Sequence, residues 1–195
     1  MYAYLKGKLV FKSPAVVHMD VNGIGFEINI SLNTYSKLQT LEEACLFVHF
    51  QVKEDAHNLF GFFDREEKEV FVQLLGVSGV GAATARLMLS NLKPDEVCAA
   101  IAEGNVRLLE SVKGIGKKTA ERLVLELRDK VRKIAPETAI QGGWQGNSLT
   151  ADALNALIAL GISRPVAENA IRKTVQAEPT INHLELLIKK ALKAI

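Results

Sequence analysis

The chain reads as a multidomain α+β protein with a small N-terminal β-barrel, a central pair of helical hairpins and a C-terminal three-helix bundle. Three observations predict this. Strand-like alternation fills the first third. One short pattern is then written twice, with Gly79 and Gly114 in register at an offset of 114 − 79 = 35. Finally, a stretch rich in Gly, Pro and Asn precedes three amphipathic segments. A length of 195 residues suffices for such small domains, and a hydrophobic content of 48% is that of a globular protein.

Residues 1–64 are expected to form the barrel. Ala15 to Val21 alternates, Asn22-Gly23 is a strong hairpin signal, and Gly25 to Ile30 alternates again. Cys45 to Val52 is a further strand that runs into Lys53-Glu54-Asp55-Ala56-His57 and returns through Asn58 to Phe63. Several short strands around one core suggest an OB-like barrel, with a sandwich as the alternative. Tyr2, Tyr4, Phe11 and Phe26 are the rings that a single-strand-binding barrel would expose, although the usual burial of aromatics favours the core. On turn statistics Glu54 and Asp55 are solvated loop carboxylates. A metal or catalytic role would need further ligands that this loop lacks.

Residues 65–135 carry the repeat. Asp64 to Glu69 is a charged helix start. The offset that joins the two glycines also carries Val77 to Val112, Val80 to Ile115, Gly81 to Gly116 and Ala85 to Ala120. Each copy is an apolar helical run, a Gly-apolar-Gly turn and a second helix, which is a helix-hairpin-helix. The glycines of each turn, Gly79 and Gly81 or Gly114 and Gly116, are expected to supply positive φ and close approach. Val80 and Ile115 should pack back between the helices. Free amides at a helix N-terminus, reinforced by the macrodipole, suit a phosphate. Lys117 and Lys118 add charge at the second turn, so the expected contact is with backbone and not with bases. From Val106 to Lys133 nine basic residues, Arg122 among them, face four acidic ones. A P-loop fails, because Lys118 stands where Ser or Thr is required. A dinucleotide fingerprint fails because helical periodicity precedes each turn. Between the copies Pro94 is expected to open a helix that Gly104-Asn105 stops.

The composition of residues 136–148 is linker-like, with Trp144 alone in it. In residues 149–195, Gly161, Ser163, Pro165 and Pro179 punctuate three short amphipathic helices. A bundle of this size suits partner binding through exposed apolar residues such as Ile162. No apolar run reaches the length of a membrane span and no signal-peptide pattern is present, so cytoplasm is the default location. Cys45 and Cys98 read as buried thiols, and the four histidines show no ligand spacing, so no metal or cofactor is expected.

Laid out in this way, the chain resembles the RuvA family of Holliday junction binding subunits. The residues that carry the resemblance are Leu5-Lys6-Gly7, Asn22-Gly23-Ile24-Gly25-Phe26-Glu27, Val52-Lys53-Glu54-Asp55-Ala56, Leu59-Phe60-Gly61-Phe62 and both hairpin turns. Gly114 to Leu123 is widespread among DNA repair proteins, and it is the order of the parts that singles out the family. The resemblance implies a non-catalytic homotetramer that holds a four-way junction open, with Glu54 and Asp55 as acidic pins at its centre. It implies a hexameric RuvB ATPase as partner for the C-terminal domain, leaves room for a junction-resolving nuclease, and gives the chain a place in recombination and repair. Leu157, Leu160 and Ile162 match positions that the family turns towards its motor, although Leu157 and Leu160 read equally well as core. One position departs from the pattern: family members often carry a lysine where this chain has Ala83, and Arg86 is expected to replace its charge.

Two other classes compete. A helix-hairpin-helix DNA glycosylase would need a base-flipping pocket and a catalytic acid or lysine in a second apolar lobe, and no candidate residue stands in one. A generic single-strand binder would use the barrel alone, and would not prefer a four-way junction to a single strand.

Overall fold

The computed structural model of the protein describes residues 2–131, 148–178 and 181–194. The chain divides into two compact units, Met1–Glu137 and Thr138–Ile195.

In the first unit β1 (Tyr4–Lys12), β2 (Val16–Val21), β3 (Ile24–Ile30), β4 (Glu43–Val52) and β5 (His57–Phe62) form a closed barrel in the order β1-β2-β3-β5-β4. Only β3 and β5 run parallel, over a short pairing at Asn29 and Ile30. This closed OB-like order removes the sandwich alternative. The alternation read from the sequence is the pleat, with Val17, Met19, Ile28, Ile30, Leu46 and Val48 pointing inward. Asn22 and Gly23 both have positive φ, as a two-residue hairpin turn demands, and Asp20 Oδ1 accepts the Gly23 N–H at 2.8 Å. Strand β1 slips register between Leu9 and Phe11, a bulge that bends it around the barrel. At Gly7 a Cβ would come within 2.0 Å of the Asp20 carbonyl oxygen, so only glycine lets β1 and β2 approach there.

Two expectations for the barrel are corrected. Between β3 and β4, where the sequence suggests only strands, lies helix α1 (Leu32–Leu38). Seven residues are too few to reveal a helical period, and the helix is held by its surroundings. Ser31 caps it by accepting the Thr34 N–H at 3.0 Å, and Lys12 Nζ donates to the carbonyls of Gln39 and Leu41, both at 2.8 Å. The second correction concerns the rings. Tyr2, Tyr4 and Phe11 are exposed and Phe26 is partly buried, because aliphatic side chains already fill the barrel interior.

Helices α2 (Arg65–Leu75) and α3 (Ala82–Asn91) form the first hairpin, α5 (Val106–Glu110) and α6 (Lys117–Val131) the second, and α4 (Pro94–Glu103) connects them. Helix α4 begins as expected at Pro94, with Glu96 accepting the Lys93 N–H at 2.7 Å, and ends at Gly104 in the left-handed conformation. The hairpins and the barrel share a core. Phe71 of α2 lies 4.8 Å from the Phe62 ring and 5.1 Å from Phe60, both on β5. A polar clamp reinforces the junction: Glu67 of α2, only 1% exposed, accepts from the hydroxyls of Ser31 and Thr34. Most of the expected linker, including Trp144, lies outside the described residues, and so do Arg132 and Lys133.

The second unit contains α7 (Ser148–Ala159), α8 (Arg164–Ala177) and α9 (Leu184–Lys193). Ala153, Ala167, Ala170 and Ala191 bring these helices close around Leu157, Ile171 and Leu187. Ser163 and Pro165 open α8 and Gly161 follows α7 with φ +91°, as the sequence suggests. Leu157 is 0% exposed and belongs to this core, so it has no surface to offer a partner. Leu160 is 63% exposed, and Ile162 is partly buried against the core. Among the described residues no helix is long and apolar enough to cross a membrane.

Candidate nucleic-acid interface

The backbone bonds that close the two hairpin turns match. Val77 N–H donates to Leu74 C=O at 3.1 Å and Val112 N–H to Leu109 C=O at 3.3 Å; Val80 and Ile115 donate to Val77 and Val112 at 3.0 and 3.1 Å. Val80 and Ile115 are buried in the shared core, where they fix each turn to its helices. The glycines divide the work differently from the expectation that both turn with positive φ. Gly79 and Gly114 do so, at +94° and +93°. Gly81 is extended, with φ −84°, and Gly116 is not in the left-handed region either. A Cβ at Gly81 or Gly116 would meet nothing within 4 Å, so their missing side chains leave open space over the backbone.

That space lies in front of unpaired donors. The first intrahelical bonds are Ala85 N–H to Gly81 C=O at 2.9 Å and Ala120 N–H to Gly116 C=O at 3.0 Å. The amides of Ala82, Ala83 and Thr84, and of Lys117, Lys118 and Thr119, therefore precede the helical ladder. Gly81 has no side chain to cap them, and the positive end of the helix dipole is left for an anion.

The copies also face each other. A Cβ at Gly79 would stand 3.6 Å from Thr119 Oγ1, and one at Gly114 would stand 3.8 Å from Thr84 Oγ1. Thr84 and Thr119 are themselves one repeat apart, since 84 + 35 = 119. This reciprocal approach is what a local two-fold between the hairpins would give, and it sets their turns side by side. The two threonines were not among the expected site residues. The signal that could have found them is the same offset of 35.

Charge breaks the symmetry. Lys117 and Lys118 are exposed, whereas the matching positions hold Ala82 and Ala83. Arg86 does not replace the missing lysine in the simple way expected. Its Nη1 donates to Ala15 C=O at 3.0 Å and to Asn29 Oδ1 at 2.8 Å, so the guanidinium braces α3 against the barrel, and burial lowers its pKa. Arg122 is exposed on α6, with Glu126 4.0 Å away. The two are four residues apart, a spacing that brings side chains together on one face of a helix.

Glu54 and Asp55 sit exposed at the tip of the β4–β5 hairpin, between the paired Val52 and His57, and Lys53 N–H to Ala56 C=O at 2.8 Å closes the loop. Among the described residues no group of three or more His, Cys, Asp or Glu could hold a metal ion. Cys45 and Cys98 are free thiols; burial, aided by Asp95, pushes Cys98 up to about 11, which leaves it protonated and inert.

Comparisons with known proteins agree with this geometry. A family model described as the RuvA N terminal domain matches residues 1–61, a SAM-like helix-hairpin-helix tandem matches 71–129, and the RuvA C-terminal domain matches 148–195. A protein of Christiangramia forsetii named Holliday junction branch migration complex subunit RuvA is 45% identical over 195 residues, covering 100% of both chains. Proteins of the same name from Flavobacterium psychrophilum and Citrifermentans bemidjiense are 44% and 42% identical, each covering 99% or more of both chains.

Proposed function

Because the chain belongs to the RuvA family, we propose that it binds four-way DNA junctions without regard to sequence, as the DNA-binding subunit of a branch migration complex. The observation that carries this reading is the pair of matched turns, each presenting uncapped amides beneath an open glycine. Such turns grip phosphate, which is the same in every sequence, and a branch point that must slide through any sequence requires that indifference. Lys117 and Lys118 strengthen the second grip, while the first relies on its backbone.

In this reading four copies surround the junction in the cytoplasm. Glu54 and Asp55 from each copy stand at the crossover, where their charge repels phosphates and steers the strands apart. The three-helix unit engages a hexameric RuvB ATPase through Leu160 and Ile162, and the chain itself does no chemistry. The exposed Tyr2, Tyr4 and Phe11 favour one rival, a barrel that stacks single strands.

A gel shift with four-way junction, duplex and single strand as competitors, run beside a mass measurement in solution, tests the proposal. Junction preference with a four-fold mass is the expected result. Preference for single strand would favour the rival, and release of a base from damaged duplex would favour a glycosylase.

A further inference from the structure

We propose that Thr84 and Thr119 are positioning residues that couple the two hairpins crosswise, each holding the other hairpin's turn in its phosphate-binding shape. The inference deepens the proposed function and rests on it. Val80 and Ile115 anchor each turn from its core side, but Gly79 and Gly114, with positive φ and no side chain, add no anchor of their own. What lies against Gly79 is Thr119 of the second hairpin, with Oγ1 and Cγ2 at 3.6 and 3.9 Å from the site of a Cβ. What lies against Gly114 is Thr84 of the first hairpin, with both side-chain ends at 3.8 Å. Both threonines are half-buried and stand in the first turn of a helix, α3 or α6. A β-branched side chain is stiff at χ1, so each presents a firm branched surface to the glycine across the seam. The shape of the threonine, more than its hydroxyl, is what the geometry uses.

The consequence is an inverted map of effects. Trimming Thr119, which belongs to the second hairpin, should loosen the grip of the first; trimming Thr84 should loosen the second. The test is interference mapping on a four-way junction in which single phosphates are replaced by neutral methylphosphonates, with the full-length protein. Ala83→Asp, which sets a negative charge at the first turn, marks the phosphates served by the first hairpin. Lys118→Ala marks those served by the second.

Thr119→Ala should bind about tenfold more weakly and lose sensitivity at the phosphates that Ala83→Asp marks. Thr84→Ala should lose it at those that Lys118→Ala marks. Thr119→Val, which keeps the branched shape without the hydroxyl, should restore the pattern. Loss confined to each threonine's own hairpin, uniform loss across both sets, or a Val variant as impaired as the Ala variant would each overturn the coupling. Absence of any phosphate footprint with the unaltered protein would overturn the proposed function and the coupling together, so the two failures are distinguishable.

Discussion

Gly114 and Gly116 stand two residues apart and answer to different physics. Gly114 is held at φ +93°, so Gly114→Ala should cost about 1–2 kcal/mol of stability. Gly116 has no such constraint and open space beyond it, so Gly116→Ala should leave stability unchanged or raise it by up to about 1 kcal/mol while weakening junction binding. Urea unfolding beside a DNA titration separates the two effects. Lys118→Ala should weaken binding equally on junctions of unrelated sequence and lower the salt slope by about 1, as loss of one phosphate contact requires. A sequence-dependent loss would contradict backbone reading. Glu67 makes a prediction about pH. Burial raises its pKa despite the hydroxyls of Ser31 and Thr34, so between the ordinary and the raised value the folded chain holds a proton that the unfolded chain has lost. This group's contribution to stability therefore grows as pH falls through that window and levels off below it. Glu67→Gln should flatten that part of the stability-pH curve.

Elements differ in how far their causes are local, and that decides which of them the sequence reveals. The two turns are legible because their residues carry their own geometry: Gly79 and Gly114 for φ, and Val80 and Ile115 for the anchor. Helix α4 is legible for the same reason, through Pro94 and Gly104. Helix α1 is not, because its support comes from Lys12 and Glu67, which lie far from it in the chain. Tyr4, Phe11 and Leu157 mislead because hydrophobicity alone does not say whether a position finds room inside. The joint between barrel and hairpins is likewise non-local. Its centre is Phe71, packed on Phe60 and Phe62 and edge-on to His49 at 5.7 Å. Phe71→Ala should cost about 3–5 kcal/mol. Because the core is shared, barrel and hairpins should unfold in one transition, seen as coincident near- and far-UV circular dichroism curves. Separate melting of the barrel would contradict a common core.

For the whole molecule, the split into two compact units predicts a division of labour. A chain ending at Pro136 should keep its junction affinity within about threefold, a difference under about 1 kcal/mol, yet fail to support motor-driven migration. Affinity lost with the tail would refute the division. Replacing Glu54 by Gln and Asp55 by Asn should leave junction binding intact or tighten it, most at low salt, where charges are least screened. Plain duplex should then compete better. Abolished binding, or an effect that depends on added divalent metal, would reopen a ligand role for these carboxylates.

The seam between Gly79–Thr119 and Gly114–Thr84 has a bearing on movement. A double helix looks the same from either end, because its strands run in opposite directions, and turns related by a half-turn offer it the same backbone amides from both sides. Lys117 and Lys118, which the first turn lacks, mark one end, but in its backbone contacts such a clamp has no forward. Like a plain bearing, it lets the rod travel and leaves the heading to whatever pulls.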